Sequence, residues 1–209
     1  RDTALEAILN PYKQEAEKKY SRVVTRLKRK LTHPSWYQET ELGGFLADIL
    51  RESLRLDMML VGSGSIRVTE LGPIILFSNL TECLPYDDSA IALWVTGAQL
   101  KKMILYMLRD EVWDGAHCEF FQFSEGVRTV YDKANHVFKE FSLNEEPIAD
   151  EKIYKIGLQY YFYLNMKDFF SISHGEVERN GKPRRVATSC REVLDEYLSC
   201  SQNLDHVIS

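Results

Sequence analysis

The apolar run Met58-Met59-Leu60-Val61 passes without a polar residue into Gly62-Ser63-Gly64-Ser65-Ile66-Arg67. An uninterrupted run of this length, ended by glycine and serine, reads as a buried strand feeding a tight turn. Four residues without bulky side chains let the backbone bend sharply and let a ligand atom come close to it. Arg67 closes the turn with a planar, permanently charged donor fork that suits phosphate, carboxylate or ribose oxygens. Taken alone, the same pattern also serves as a plain connecting turn whose arginine pairs locally. Its neighbours in sequence decide what it means.

With 209 residues, of which 44 % are hydrophobic and 27 % charged, the chain is ordinary globular material with enough length for a sizeable core. The net charge of -5 argues against binding duplex nucleic acid, which needs a basic face to displace counterions. No apolar run approaches a membrane span, and the N-terminus is charged rather than signal-like. The chain begins Arg1-Asp2-Thr3, without methionine, and is expected to be a segment of a longer protein. Cys83, Cys118, Cys190 and Cys200 form no C-x-x-C pair, so zinc is not expected. Four unpatterned thiols favour a reducing, cytoplasmic setting, with a disulfide left open. His33, His117, His136, His174 and His206 are scattered without metal spacing and read as surface or capping residues.

Asn10-Pro11 resembles a helix start, and Tyr12, Ala16, Tyr20, Val23, Val24, Leu27 and Leu31 recur at three- or four-residue steps. One long helix is therefore expected up to Thr32-His33-Pro34, with Lys28-Arg29-Lys30 as its solvated end. A second helix fits 39–56, and Gly43-Gly44 near its start implies close approach by another backbone or a ligand. Buried strands are expected at 73–77 and 90–95, a helix at 98–108, and a hairpin of 119–124 with 127–132 around Glu125-Gly126. Strands at 137–141 and 153–161, an Asn180-Gly181 turn and a closing helix at 191–199 complete an α+β (mixed α/β) pattern with a substantial sheet.

The order of these pieces resembles the C-terminal, substrate-binding domain of the 5′-nucleotidase family, which includes UDP-sugar hydrolases and 2′,3′-cyclic-nucleotide phosphodiesterases. Glu39-Thr40-Glu41-Leu42-Gly43-Gly44 is similar to the family's E-T-x-L-G-N helix start, and Gly62–Arg67 to its N-G-G-G-I-R turn. Leu84-Pro85-Tyr86 is similar to L-P-F, and Val95-Thr96-Gly97-Ala98-Gln99-Leu100-Lys101 to a strand–G-x-x-L–helix junction. Phe121-Gln122-Phe123-Ser124 with Val130-Tyr131-Asp132 resembles F-L-Q-x-S-G…x-Y-D, and Pro147-Ile148 followed by 153–156 resembles P-I-D…Y-x-V.

The resemblance implies a mixed sheet flanked by helices over 35–209, preceded by an interdomain linker helix over 1–34. It implies a substrate domain for a metallophosphatase that hydrolyses nucleotide phosphoesters. Two divalent metals would sit in an N-terminal metallophosphoesterase domain whose D-x-H, G-D-x-x-D and G-N-H-E/D signatures do not occur here. This domain would bind no cofactor and hold no catalytic residue. Its ligand would be a nucleotide or nucleoside phosphate, and its partner that N-terminal domain. Exported and cell-surface relatives make secretion an open alternative. By resemblance the site comprises Gly62, Ser63, Gly64 and Arg67 at the turn, Tyr86 and Phe170 (or its neighbour Phe169) as the base sandwich, and Asp168. The chain departs from the family in three places: Gly62 replaces the asparagine, Trp36, Tyr37 or Gln38 (depending on the subfamily compared) stands for the arginine before E-T, and Met166-Lys167 and Phe169 replace the glycines of the loop. The alternative is a non-catalytic structural or partner-binding module with a decayed nucleotide cleft.

Overall fold

The computed structural model describes residues 3–112 and 118–200. Helix α1 (Thr3–Tyr20) is followed by two short strands, β1 (Val23–Arg26) and β2 (Leu31–Thr32), and by helix α2 (Glu41–Leu54). Strand β3 (Met58–Gly62) then runs into one turn of 3-10 helix at Ser63–Ser65. Next come β4 (Glu70–Leu71), β5 (Ile74–Leu76), α3 (Phe77–Cys83), β6 (Ala90–Thr96) and α4 (Gly97–Met107). The second half carries β7 (Phe121–Phe123), β8 (Val127–Asp132), β9 (Val137–Leu143), β10 (Glu146–Pro147) and β11 (Ile153–Gln159). Three short helices, α5 (Tyr160–Leu164), α6 (Met166–Phe170) and α7 (His174–Glu178), lead to β12 (Arg184–Ala187) and α8 (Cys190–Cys200).

The expected buried strand β3 lies inside a five-stranded sheet of order β12-β6-β11-β3-β7. It runs parallel to β11 and antiparallel to β7. Both faces of β3 are covered, and its side chains alternate between two cores. Met59 and Val61 join Leu42, Leu46, Ile49 and Leu50 of α2 and Leu194 and Leu198 of α8. Met58 and Leu60 join Leu100, Met103 and Ile104 of α4, together with Phe121 and Phe170. Each such large apolar side chain, fully buried, contributes about 1.5–3 kcal/mol, which is why an unbroken apolar run becomes a central strand. The mixed sheet flanked by helices is the α+β architecture that the sequence implies.

Two helix starts that border the site are fixed by their own side chains. The Thr40 hydroxyl accepts the Gly43 N–H at 3.1 Å and caps α2. Thr96 and Gln99 cap α4 reciprocally: the hydroxyl accepts from Gln99 N at 3.2 Å, and the amide oxygen accepts from Thr96 N at 2.9 Å.

Three expectations need correction. The long helix stops at Tyr20, and residues 23–32 are largely extended. Val24, Leu27 and Leu31 do enter one core, but from strands: β1 pairs with β5, and β2 with β4. A helical spacing here coincides with the alternation of short strands, and non-local pairing overrides it. The expected hairpin does not form, because β7 pairs with β3 while β8 pairs with β9 in a separate three-stranded sheet. The turn at Glu125-Gly126 is real, with Gly126 at a φ of 86°, yet it redirects the chain from one sheet to the other. Finally, His33 is buried, not a surface or capping residue.

Among the described residues no helix is long and apolar enough to cross a membrane. Cys83, Cys118, Cys190 and Cys200 are free thiols. His117 and His206 lie outside the described residues.

Candidate functional site

The turn after β3 opens into a cleft of about 710 Å³ at one end of the central sheet. Gly64, Ser65 and Arg67 line one wall, Tyr86, Asp87 and Asp88 another, and Tyr160, Tyr161 and Phe162 come from the start of α5. Trp36, Tyr37 and Glu119 complete the rim. The volume lies within the range of small-molecule sites, about 300–1,000 Å³.

Backbone hydrogen bonds tie these walls together. Arg67 N donates to the Cys83 carbonyl at 2.9 Å, which fixes the end of α3 and hence the Leu84-Pro85-Tyr86 segment against the turn. Asp88 Oδ2 accepts from Tyr161 N at 2.6 Å, and Tyr160 N donates to the Ser89 carbonyl at 2.8 Å, so α5 begins beside that segment. Asp87 is held from behind by the Ser189 hydroxyl at 2.6 Å and by Arg191 at 3.1 Å. Tyr86 and Tyr161 are thus left on the rim with 68 % and 57 % exposure. Exposed aromatic rings on a cleft wall offer stacking faces.

Beneath the turn lies a polar network centred on Gln122, which is fully buried. Its Nε2 donates to the Gln38 carbonyl at 2.8 Å and to the Ser63 hydroxyl at 2.9 Å, and its Oε1 accepts from Thr40 N at 2.8 Å. One side chain from β7 thereby joins the cap of α2 to the turn after β3. A Cβ on Gly43 would lie 2.3 Å from Gln122 Oε1, so the close approach expected at Gly43-Gly44 is made by a side chain at the first glycine. At Gly44 a Cβ would meet only ordinary contact. His33 joins the network, with Nδ1 2.8 Å from Thr40 Oγ1 and Nε2 3.2 Å from the Ser63 carbonyl. Burial pushes its pKa below the usual histidine range, against the raising effect of the Ser63 carbonyl. The neutral ring then donates Nε2–H to Ser63 and leaves Nδ1 to accept.

The turn itself is crowded by its own neighbours. Gly62 N donates to Gln159 Oε1 at 3.0 Å, Ser63 N to the Phe120 carbonyl at 2.8 Å, and Gly64 N to Glu119 Oε1 at 2.7 Å. A Cβ at Gly62 would sit 2.2 Å from the Phe162 ring. Glycine at this position, where the family pattern has asparagine, is therefore matched by an aromatic ring that fills the side-chain space. Burial pushes the Glu119 carboxyl up to about 7, against the lowering effects of the Gly64 N–H and of Arg67. Arg67 is exposed, donates from Nη1 to the Gly64 carbonyl at 3.3 Å, and lies over Trp36 with Cζ 5.3 Å from the ring centroid.

Of the residues named from sequence, Gly64, Arg67 and Tyr86 line the cleft. Gly62 and Ser63 are buried behind it. Phe170 does not face it: the ring is fully buried, 4.7 Å from that of Phe121. Asp168 is exposed on α6, away from the lining. Sequence reasoning missed Tyr161, Gln159 and Glu119. The signal for Tyr161 was the aromatic cluster where β11 ends, and nothing in the local pattern marked Glu119.

The model of the 5′-nucleotidase C-terminal domain matches residues 21–173. The chain belongs to the 5′-nucleotidase C-terminal domain family. A curated relative is the uncharacterized metallophosphoesterase YunD of Bacillus subtilis, 26 % identical over 181 residues, which cover 76 % of this chain and 36 % of that protein. Among solved structures, the 5′-nucleotidase precursor of Thermus thermophilus superposes with a TM-score of 0.70 at 19 % identity, over 95 % of this chain and 40 % of that one. The NAD nucleotidase of Haemophilus influenzae gives 0.70 at 15 % identity, over 96 % and 39 %. A putative 5′-nucleotidase of Staphylococcus aureus, solved with alpha-ketoglutarate, gives 0.71 at 12 % identity, over 93 % and 41 %. These likenesses show the fold. The chain spans about two fifths of the length of these proteins.

The two divalent metals of the metallophosphatases do not fit the described side chains. No group of three His, Cys, Asp or Glu residues converges among the described residues. The ring of His174 is bonded to the Tyr163 carbonyl, and that of His136 lies 3.1 Å from the Tyr131 hydroxyl.

Proposed function

We propose that the cleft is the ligand-recognition site through which a longer hydrolase of the metallophosphoesterase type holds a nucleotide or nucleoside phosphate. One observation carries the reading: the small-residue turn with Arg67 and two exposed tyrosines converge on one cleft of nucleotide size. Tyr86 and Tyr161 supply the stacking faces, with Tyr161 taking the place that sequence assigned to Phe170. A base–aromatic stack is worth about 1–3 kcal/mol and tolerates different bases. Arg67, held over Trp36, reaches sugar or phosphate oxygens with the edge of its guanidinium. The metals and the water they activate belong to a domain outside this chain, and α1 leads towards it. Ile8 and Tyr12 on α1 are 64 % and 70 % exposed, which suits a helix that packs on a further domain.

Calorimetric titration of the 209-residue chain with adenosine, AMP and UDP-glucose tests this. Saturable binding of at least one, weakened about ten-fold or more in Tyr86→Ala, is expected. Absence of heat and of fluorescence quenching at millimolar concentrations of all three ligands, in folded protein, rejects it in favour of a structural or partner-binding module.

A further inference from the structure

Four of the seven residues from Arg179 to Arg185 are cationic and none is acidic, in a chain whose net charge is -5. All four, Arg179, Lys182, Arg184 and Arg185, are exposed. Among the described residues, none of them is within ion-pair distance of a carboxylate. The segment runs into β12, an outer strand of the central sheet that pairs with β6 alone and is exposed or half-buried throughout. The strand at the other edge, β7, is buried. Along an edge strand every second residue turns its N–H and C=O away from its neighbour, and that row is a template for another strand. Arg184 and Arg185 leave this edge on opposite faces. Arg184 stands across the ladder from Ala92, in the core that α2 and α8 cover, and Arg185 from Ile91, in the core that α4 covers. Each guanidinium lies over an aromatic ring, Arg184 5.7 Å from the centroid of Trp94 and Arg185 5.0 Å from that of Tyr160. A ring beneath the guanidinium plane steadies the side chain and leaves its edge N–H donors for an anion.

We infer that β12 is a docking edge for an extended acidic segment of a protein partner, which adds to the central sheet as a further strand and sets adjacent carboxylates against Arg184 and Arg185. Successive side chains of an added strand point to opposite faces, which is how the two arginines are arranged. In this mode of recognition main-chain hydrogen bonds supply affinity and the side-chain pairs supply specificity. A planar bilayer or a duplex meets one face of the sheet at a time and leaves one of the two arginines on the far side. Arg179 and Lys182, just before the strand, extend the positive field that draws an acidic partner in. The inference is independent of the nucleotide reading, since neither Arg184 nor Arg185 lines the cleft.

The probe is a short fluorescein-labelled peptide of valine and threonine around a central aspartate–glutamate pair, followed by anisotropy. Its control is the same peptide N-methylated along the backbone, which keeps the charges and removes the main-chain donors. Wild type is expected to bind the parent peptide saturably. Affinity is expected to fall about ten-fold or more for the N-methylated peptide, and by as much in the double variant Arg184→Ala/Arg185→Ala, whose fold circular dichroism checks. Equal affinity for the two peptides overturns strand addition, because charge alone then holds them. That comparison needs only wild type and decides the matter whether or not the variant folds. A folded double variant that binds like wild type, or no binding of the parent peptide at millimolar concentration, overturns the docking edge and leaves the arginines as charges that keep foreign strands away. Vesicles of phosphatidylcholine and phosphatidylserine are the second probe. Capture of wild type by these vesicles, without peptide binding, assigns the arginines to an anionic membrane surface instead.

Discussion

Replacing Glu119 by glutamine should stabilise the protein, and do so only above the pH at which the unfolded carboxyl ionises. The carboxyl is raised from 4.5 to about 7 mainly by burial. A raised carboxyl pKa means that the folded state holds the proton more tightly. The resulting contribution to stability is complete below about 4.5 and is lost as pH rises through about 7. Raising the carboxyl from 4.5 to about 7 corresponds to about 3 kcal/mol by pH 8, reduced to about 2 kcal/mol by partial solvent screening. Glutamine carries no charge at any pH and can still accept the Gly64 N–H. Glu119→Gln should therefore match wild type closely near pH 5 and exceed it by about 2 kcal/mol near pH 8, a rise in Tm of about 4–8 °C for a chain of this size. Thermal melts, with urea titrations at both pH values to check that the m-value is unchanged, read the difference. A stability gap that stays constant between pH 5 and pH 8, or one that closes as pH rises, would refute the burial argument.

Burial lowers the pKa of His33, so the folded state favours its neutral form. The stability it provides is present above 6.5 and lost as pH falls; in the Glu119→Gln background, urea midpoints should drop below that pH, and the slope should flatten in His33→Asn. Gly43→Ala pushes a Cβ against the buried amide of Gln122 and should cost about 1–3 kcal/mol in urea unfolding; an unchanged midpoint would mean that the network yields without loss. Phe170→Ala should cost about 3–5 kcal/mol of stability, whereas Tyr161→Ala should cost less than about 1 kcal/mol and abolish measurable adenosine binding. The reverse pattern would return Phe170 to the cleft.

The parts of the fold legible in the sequence were those set by local pattern and continuous burial. The run 58–61 became β3, Thr96-Gly97 opened α4, and Thr40 capped α2, because each signal is decided by residues within a turn or a pleat of one another. What failed was decided at a distance. Val23–Leu31 carries helical spacing, yet it pairs with residues 70–76, and that pairing competes successfully with a helix whose stripe would have been only partly covered. Likewise 119–124 and 127–132 have hairpin character, but β7 is captured by the edge of β3. In the site, Arg67 and Tyr86 were legible because each lies inside a short motif. Phe170 was misplaced because six aromatic residues between 160 and 170 satisfy one pattern, and only packing decides which ring meets solvent. Glu119 carried no signal, since its role arises from the meeting of β7's approach with a turn more than fifty residues earlier.

Backbone amide shifts of the ¹⁵N-labelled chain during an adenosine titration test the central claim most directly. Saturable shifts concentrated at residues 64–67, 86–88, 119–120 and 159–162, with the α1 and β8–β9 amides unmoved, are predicted. Saturable shifts confined to another surface, or none at millimolar adenosine, would contradict the assignment of this cleft as the recognition site.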